Sequence, residues 1–176
     1  MNLSDEEMFE RMSHGWRGGV PHTTCGGGSL PQYTENARRV LPLWCARYDI
    51  ESVCDAGAGD LRWREGMRWN VDYTAYDLIP RHPSVQRWDI TTEPLPRVDM
   101  ILCRMVLNHI QPRVPQTLAL FKQSATYLAA TQYGPDAPQR DRQFYRLDLC
   151  RWLGKPIEAV QDGPEFFGQL ALWRLV

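Results

Sequence analysis

The stretch that most constrains how this chain can fold is Asp55-Ala56-Gly57-Ala58-Gly59-Asp60-Leu61-Arg62-Trp63, set directly behind the apolar run Ser52-Val53-Cys54. A strand that ends in Asp-x-Gly-x-Gly and opens into a helix makes a tight turn, and its bare backbone lets a ligand approach the strand end closely. The stretch therefore reads as a cofactor loop, with a helix expected over about residues 60–68. The dinucleotide fingerprint would place a third glycine where Arg62 stands, so that helix and strand pack closely around a pyrophosphate. A nicotinamide dinucleotide therefore fits poorly.

From residue 52 onward strand-like and helical runs alternate: strands at 52–57, 72–78, about 85–90, 98–104 and 126–132, and a helix at 113–124 carrying Val114, Leu118 and Phe121. Alternation of this kind predicts a doubly wound, mostly parallel sheet of the Rossmann-like α/β class. Ile157 to Val160 and Gln169 to Leu175 are joined by Gln161-Asp162-Gly163-Pro164, too short a link for a helical crossover. They are expected to form a C-terminal antiparallel hairpin. Upstream, Ser4-Asp5-Glu6-Glu7 has the form of a capping box before a short helix. Residues 15–29 hold six glycines and read as a long loop of the kind that forms lids. Leu30, Tyr33, Ala37, Leu41, Trp44 and Tyr48 recur at helical spacing, with Pro42 kinking the helix or starting a second one. The organisation expected is one domain over 1–176, with N-terminal helices and a glycine-rich lid over 1–48 and the core over 49–176.

S-adenosylmethionine has no pyrophosphate, so its site can dispense with the third glycine, and Asp55 suits its cationic amino group. At these residues the chain resembles the class I S-adenosylmethionine-dependent methyltransferases, whose first motif reads acidic-x-Gly-x-Gly, in particular small bacterial and phage members. Asp77 closes the second strand run about 20 residues beyond the turn, where a carboxylate accepts bonds from both ribose hydroxyls. The resemblance implies S-adenosylmethionine contacts from Asp55, Ala56, Gly57, Gly59, Asp60 and Trp63 around the turn, and from Asp77 and Leu78 at the ribose. It implies Asp89 and Ile90 at the adenine, and Cys103 and Arg104 beside the methyl-donor sulfur. Cys25-Gly26-Gly27-Gly28-Ser29 followed by a helix matches a glycine-rich element upstream of the first motif, with Gly28 and Ser29 facing the methionyl carboxylate. In these relatives an acidic residue frequently follows the Cys-Arg pair; Met105 stands there, so His109 is the expected general base, with Arg104 the other catalytic candidate. Methyl transfer to an oxygen or nitrogen of a small acceptor is the expected reaction. A non-catalytic nucleoside-binding or interaction protein and a nicotinamide-dependent oxidoreductase are the alternatives.

What the chain lacks narrows the substrate. The Asp/Asn-Pro-Pro-Tyr/Phe element and the Pro-Cys nucleophile of DNA methylases of this class have no counterpart at Cys103-Arg104-Met105-Val106. Eighteen of the 20 basic residues are arginine, but they are scattered and the net charge is -1, which leaves no nucleic-acid footprint. Arg140, Arg142 and Arg146 in the stretch 133–146 are placed to attract an anionic acceptor, as are residues 14–35 to contact it. Five cysteines with irregular spacing argue against disulfides and zinc, and His14, His22, His82 and His109 have no metal-ligand spacing. Without an apolar span or signal sequence, a cytoplasmic location is expected.

Overall fold

The computed structural model describes residues 7, 10, 23–134, 147–163 and 168–175. Seven strands form one sheet: β1 (Ser52–Ala56), β2 (Asp72–Asp77), β3 (Val85–Arg87), β4 (Val98–Cys103), β5 (Ala125–Gln132), β6 (Glu158–Gln161) and β7 (Gln169–Arg174). Their order is β3-β2-β1-β4-β5-β7-β6. Strands β1 to β5 pair in parallel, and β7 pairs antiparallel with both β5 and β6. The hairpin and the parallel core stand as the alternation predicts.

Period-two alternation sorts the strand residues between two cores. Helix α1 (Glu35–Arg47) lays Ala37, Val40, Leu41, Trp44 and Cys45 against Val53, Met100, Leu102, Ala129, Leu170 and Leu172 on one face. Helix α2 (Val114–Ser124) lays Val114, Leu118 and Phe121 against Cys54, Ile101, Cys103, Leu128, Ala130, Ala171 and Trp173 on the other. A one-turn helix, α3 (Cys150–Leu153), extends that second layer, where the Trp173 indole donates to the Gly154 carbonyl at 3.0 Å. Strands buried on both faces are what a three-layer parallel fold requires.

Two elements differ from expectation. The helix over 60–68 is a single 3-10 turn at Arg62–Arg64. Leu61 sits at φ 59 and Gly66 at φ 72, and these left-handed residues close the turn at both ends. Helix α1 starts at Glu35, not at Leu30, because Gly27–Ser29 and Pro31–Tyr33 form two separate 3-10 turns ahead of it. It runs through Pro42 as one helix. The crossovers from β1 to β2, β2 to β3 and β3 to β4 all proceed without an α-helix. Of the capping-box helix, only Glu7 and Glu10 are described, both helical. His14, Trp16, His22, Arg140, Arg142 and Arg146 lie outside the described residues.

Candidate functional site

In an open α/β sheet, ligands sit outside the carboxyl ends of the strands at the point where the strand order reverses. Here that point lies between β1 and β4, and the glycine turn leaves β1 there. The Gly57 and Ala58 amides donate to the Tyr76 carbonyl at 2.8 and 3.0 Å, tying the turn to β2. Gly57 at φ 91 and Gly59 at φ 62 adopt backbone that L side chains rarely enter. The space that a side chain would take at each is filled by protein. A Cβ at Gly57 would lie 2.2 Å from Val106 Cγ2, and one at Gly59 2.7 Å from Cys25 Sγ. The glycines thus let the segment after β4 and the N-terminal segment close onto the turn.

Three carboxylates hold this region. Asp77 accepts the Gly59 N–H on Oδ2 at 2.8 Å and the Ile79 N–H on Oδ1 at 2.9 Å. Burial pushes its carboxyl above the ordinary value, against the pull of those bonds and of the Arg81 charge. Asp55, 2% exposed, accepts on Oδ2 from the Trp63 indole at 3.0 Å and from the Tyr73 hydroxyl, which in turn lies under the Arg64 guanidinium. Burial raises the Asp55 carboxyl to about 6, and Oδ1 has no hydrogen bond among the described residues. Asp60 accepts the Thr23 hydroxyl at 2.9 Å and the Thr24 N–H at 3.1 Å on Oδ2, and the Arg62 N–H on Oδ1. Its carboxylate is a clasp for residues 23 and 24.

Arg104, a catalytic candidate from the sequence, bonds a carboxylate and two carbonyls of the protein. Its Nε lies 3.1 Å from Oδ1 and 2.9 Å from Oδ2 of Asp162, Nη1 donates to the Gly28 carbonyl, and Nη2 donates to the Tyr33 carbonyl at 3.2 Å. The pair is buried, and Thr131 Oγ1 reaches Asp162 Oδ2 at 3.4 Å while accepting the Met105 N–H at 3.1 Å. Each guanidinium nitrogen of Arg104 thus makes a bond to protein, and one N–H on each Nη is not used by these bonds. Gly28 and Ser29 also make bonds within the protein. The Gly28 carbonyl faces Arg104, and the Ser29 hydroxyl bonds Gly26 O at 2.8 Å and Thr23 Oγ1 at 2.6 Å. The glycine-rich turn leads into a three-residue 3-10 turn, so the helix N-terminus that favours an anion is absent at this place.

Ala56 and Cys103 are fully buried and Ile90 nearly so, all three in the core on the α2 face; burial pushes the Cys103 thiol well above its ordinary value. Their side chains pack in that core. Asp89 accepts the Thr91 N–H at 2.9 Å and the Thr91 hydroxyl at 2.7 Å, forming a local turn, and Leu78 is half-buried with its carbonyl taking Arg87. Trp69 stands edge-on to Trp63 at 6.4 Å. His109 is half-buried in the 3-10 turn Leu107–His109, one turn beyond β4. Met105 takes φ 60, a left-handed conformation that Asp and Asn adopt more readily than Met.

Two polar groups were not singled out by the sequence reading. Arg81 has Nε and Nη2 enclosed with no partner among the described residues, and its charge reaches both Asp77 and Cys25. Asn108, 1% exposed, has Nδ2 unpaired beside His109. Buried donors without partners call for an explanation, and a ligand is one. The sole sequence signal for Arg81 was its place after Asp77, within Pro80-Arg81-His82-Pro83.

No protein-family model matches this sequence, and no curated protein matches it. Solved structures do. The 1,6-didemethyltoxoflavin-N1-methyltransferase of Burkholderia thailandensis, with bound 1,6-didemethyltoxoflavin and S-adenosylhomocysteine, superposes at TM-score 0.66 and 16% identity over 99% of this chain and 91% of that one. The magnesium protoporphyrin IX methyltransferase of Synechocystis PCC 6803, with bound SAH, gives 0.58 and 12% over 98% and 87%. Human N-acetylserotonin methyltransferase in complex with SAM gives 0.56 and 11% over 96% and 55%. With its strand order, its closing hairpin and its glycine turn at the switch point, this chain has the fold of the class I S-adenosylmethionine-dependent methyltransferases.

Proposed function

We propose that this chain is an S-adenosylmethionine-dependent methyltransferase acting on an oxygen or nitrogen of a small-molecule acceptor, as one unit over residues 1–176. The observation that carries the reading is the pair of carboxylates, Asp55 and Asp77, at the ends of adjacent strands on either side of the glycine turn. The residues fit the cofactor. Asp55 Oδ1 offers an acceptor for a cationic amino group, and each Asp77 oxygen keeps capacity for a ribose hydroxyl beyond its single N–H. The charge of Arg81, whose Nε and Nη2 have no partner among the described residues, acts on Asp77. S-adenosylmethionine held by Asp55 and Asp77 would supply a sulfonium-bound methyl group to the acceptor, with S-adenosylhomocysteine as the leaving product. The chain's own share is alignment, exclusion of water by the segment from Thr23 to Tyr33, and removal of the acceptor proton by His109.

Two observations favour a second reading, a nucleoside-binding protein without transfer. Met105 holds a left-handed backbone where the resemblance implies a frequent acid, and all three Arg104 guanidinium nitrogens bond protein groups. Thermal shift with S-adenosylmethionine, S-adenosylhomocysteine, NAD and NADP tests the ligand class, because a ligand at 100 times its Kd stabilises by about 2.7 kcal/mol. Stabilisation by a nicotinamide dinucleotide alone would overturn the methyltransferase reading. Release of S-adenosylhomocysteine across an acceptor screen, lost in His109→Ala, separates the enzyme from the binding protein.

A further inference from the structure

The N-terminal segment Thr23–Tyr33 crosses the carboxyl end of the sheet and is fastened at two points. At one end Asp60 takes Thr23 and Thr24; at the other Arg104 takes the carbonyls of Gly28 and Tyr33. Between the two points Cys25 sits on Gly59, and Gly28 lies against Met105, where an added Cβ would be 3.6 Å from Cε. The Arg104 anchor is itself rooted in Asp162, on the β6–β7 link, whose side chain is 0% exposed. A buried ion pair is a poor way to gain stability, since desolvation offsets much of the attraction and apolar replacements often do as well. What an arginine adds is geometry: a planar fork that holds two carbonyls and a carboxylate in fixed relative positions.

We propose that Arg104, held by Asp162, is a positioning residue that fixes the Thr23–Tyr33 strap across the glycine turn and so forms the wall that retains the ligand at the β1–β4 switch point. It acts through the Gly28 and Tyr33 carbonyls and touches no reacting atom. The ligand half of this statement rests on the methyl-donor reading; the strap half does not.

The test uses the full chain and its own cysteines. Cys25 lies in the strap, while Cys45, Cys54 and Cys103 are buried in the two cores and report on the fold. Thiol labelling followed by mass spectrometry therefore distinguishes a loosened strap from an opened core. Arg104→Lys keeps the charge beside Asp162 and loses the fork. Arg104→Met with Asp162→Leu removes the pair without leaving a buried charge, so the fold survives. In both, Cys25 is expected to label about tenfold faster or more, the three core cysteines within about twofold of wild type, and S-adenosylmethionine to bind about tenfold more weakly. A purely structural pair predicts something different: in the Met/Leu variant, wild-type melting temperature, Cys25 protection and affinity return together. That result overturns the proposal, as does unchanged Cys25 labelling in folded Arg104→Lys. Faster Cys25 labelling with unchanged affinity overturns the wall and leaves only the anchor. A wild-type chain that binds neither S-adenosylmethionine nor S-adenosylhomocysteine overturns the methyl-donor reading and the wall with it, and the labelling still decides whether Arg104 holds the strap.

Discussion

The two halves of the sheet are held together by different forces. From β4 to β7 the chain is a packed body: α2 covers one face and α1 the other, and Leu128, Ala129, Leu170, Leu172 and Trp173 are buried with almost no exposed surface. From β1 to β3 no α-helix crosses over, and the connections are fixed by carboxylates that accept N–H and O–H groups. Asp55 takes Trp63 and Tyr73, Asp60 takes Thr23 and Thr24, Asp77 takes Gly59 and Ile79, and Asp89 takes Thr91. Apolar packing is non-directional and tolerant, whereas hydrogen bonds to carboxylates fix the direction and distance of each partner. The body supplies stability, and the limb supplies a backbone held in positions that a ligand can use.

The largest effect should come from Gly57→Val, where the limb meets the segment after β4. The substitution combines a left-handed backbone with a clash against Val106 Cγ2 at 2.2 Å, costs of about 1–2 and 1–3 kcal/mol respectively. Binding of S-adenosylmethionine should be lost and the melting temperature should fall sharply. Adding Val106→Ala should recover part of the stability, and no recovery would mean that backbone strain alone sets the cost. The body is tested by Leu128→Ala, which opens a cavity in a fully buried strand and should cost about 2–5 kcal/mol while leaving ligand affinity of the folded protein unchanged. A Leu128→Ala protein that binds S-adenosylmethionine tenfold more weakly by calorimetry would erase the division of labour between the halves.

The same contrast separates what was legible in the sequence from what was not. Strand runs and the helix at 113–124 were readable to within a residue or three because burial on one or both faces writes itself into spacing. The glycine turn was readable because positive φ demands glycine at fixed positions. The limb's connections were not. A helix was expected after Gly59, yet Leu61 and Gly66 close a single 3-10 turn, and no periodicity reports a left-handed leucine. Arg104 and Asp162 stand 58 residues apart, each in a stretch that explains it locally, one as a strand-end cation and the other as a turn residue between β6 and β7. Pairing across such distance has no local signature, and so the bond from Arg104 to Asp162 was not foreseen.

Asp77→Ala should act on the limb alone. It removes acceptors for the Gly59 and Ile79 amides and, on the proposed reading, for the ribose. Charge-assisted bonds of this kind are worth about 1.5–3 kcal/mol, so affinity for S-adenosylmethionine should fall by about 10- to 100-fold. The fold should persist because the body is untouched. Wild-type affinity would show that Asp77 serves the turn and not the ligand. Arg81→Met should have a smaller effect, about threefold to tenfold on the same affinity, by withdrawing the two enclosed donors; tighter binding instead would mark Arg81 as a cost to the site.

The smallest expected effect is a pH dependence, and Asp55 sets its sign. Burial raises its carboxyl from the unfolded value of 3.8 to about 6, while Tyr73, Trp63 and Arg64 pull it down and Asp77 adds to the rise. The folded chain therefore prefers the neutral form, so the contribution of Asp55 to stability is fully present below about pH 4 and is lost as pH rises through about 6. Without ligand, the melting temperature of wild type relative to Asp55→Asn should fall between pH 5 and 7. A cationic ligand group beside Oδ1 favours the ionised form, so affinity for S-adenosylmethionine should run the opposite way, tightening by at most about tenfold per pH unit over the same interval. The two slopes have opposite signs because they report the same proton, one from the protein interior and one from the ligand. An affinity for S-adenosylmethionine that stays flat from pH 5 to 7, beside a wild-type stability slope, would leave Asp55 as a buried brace for Trp63 and Tyr73 and move the ligand's cation elsewhere in the crevice.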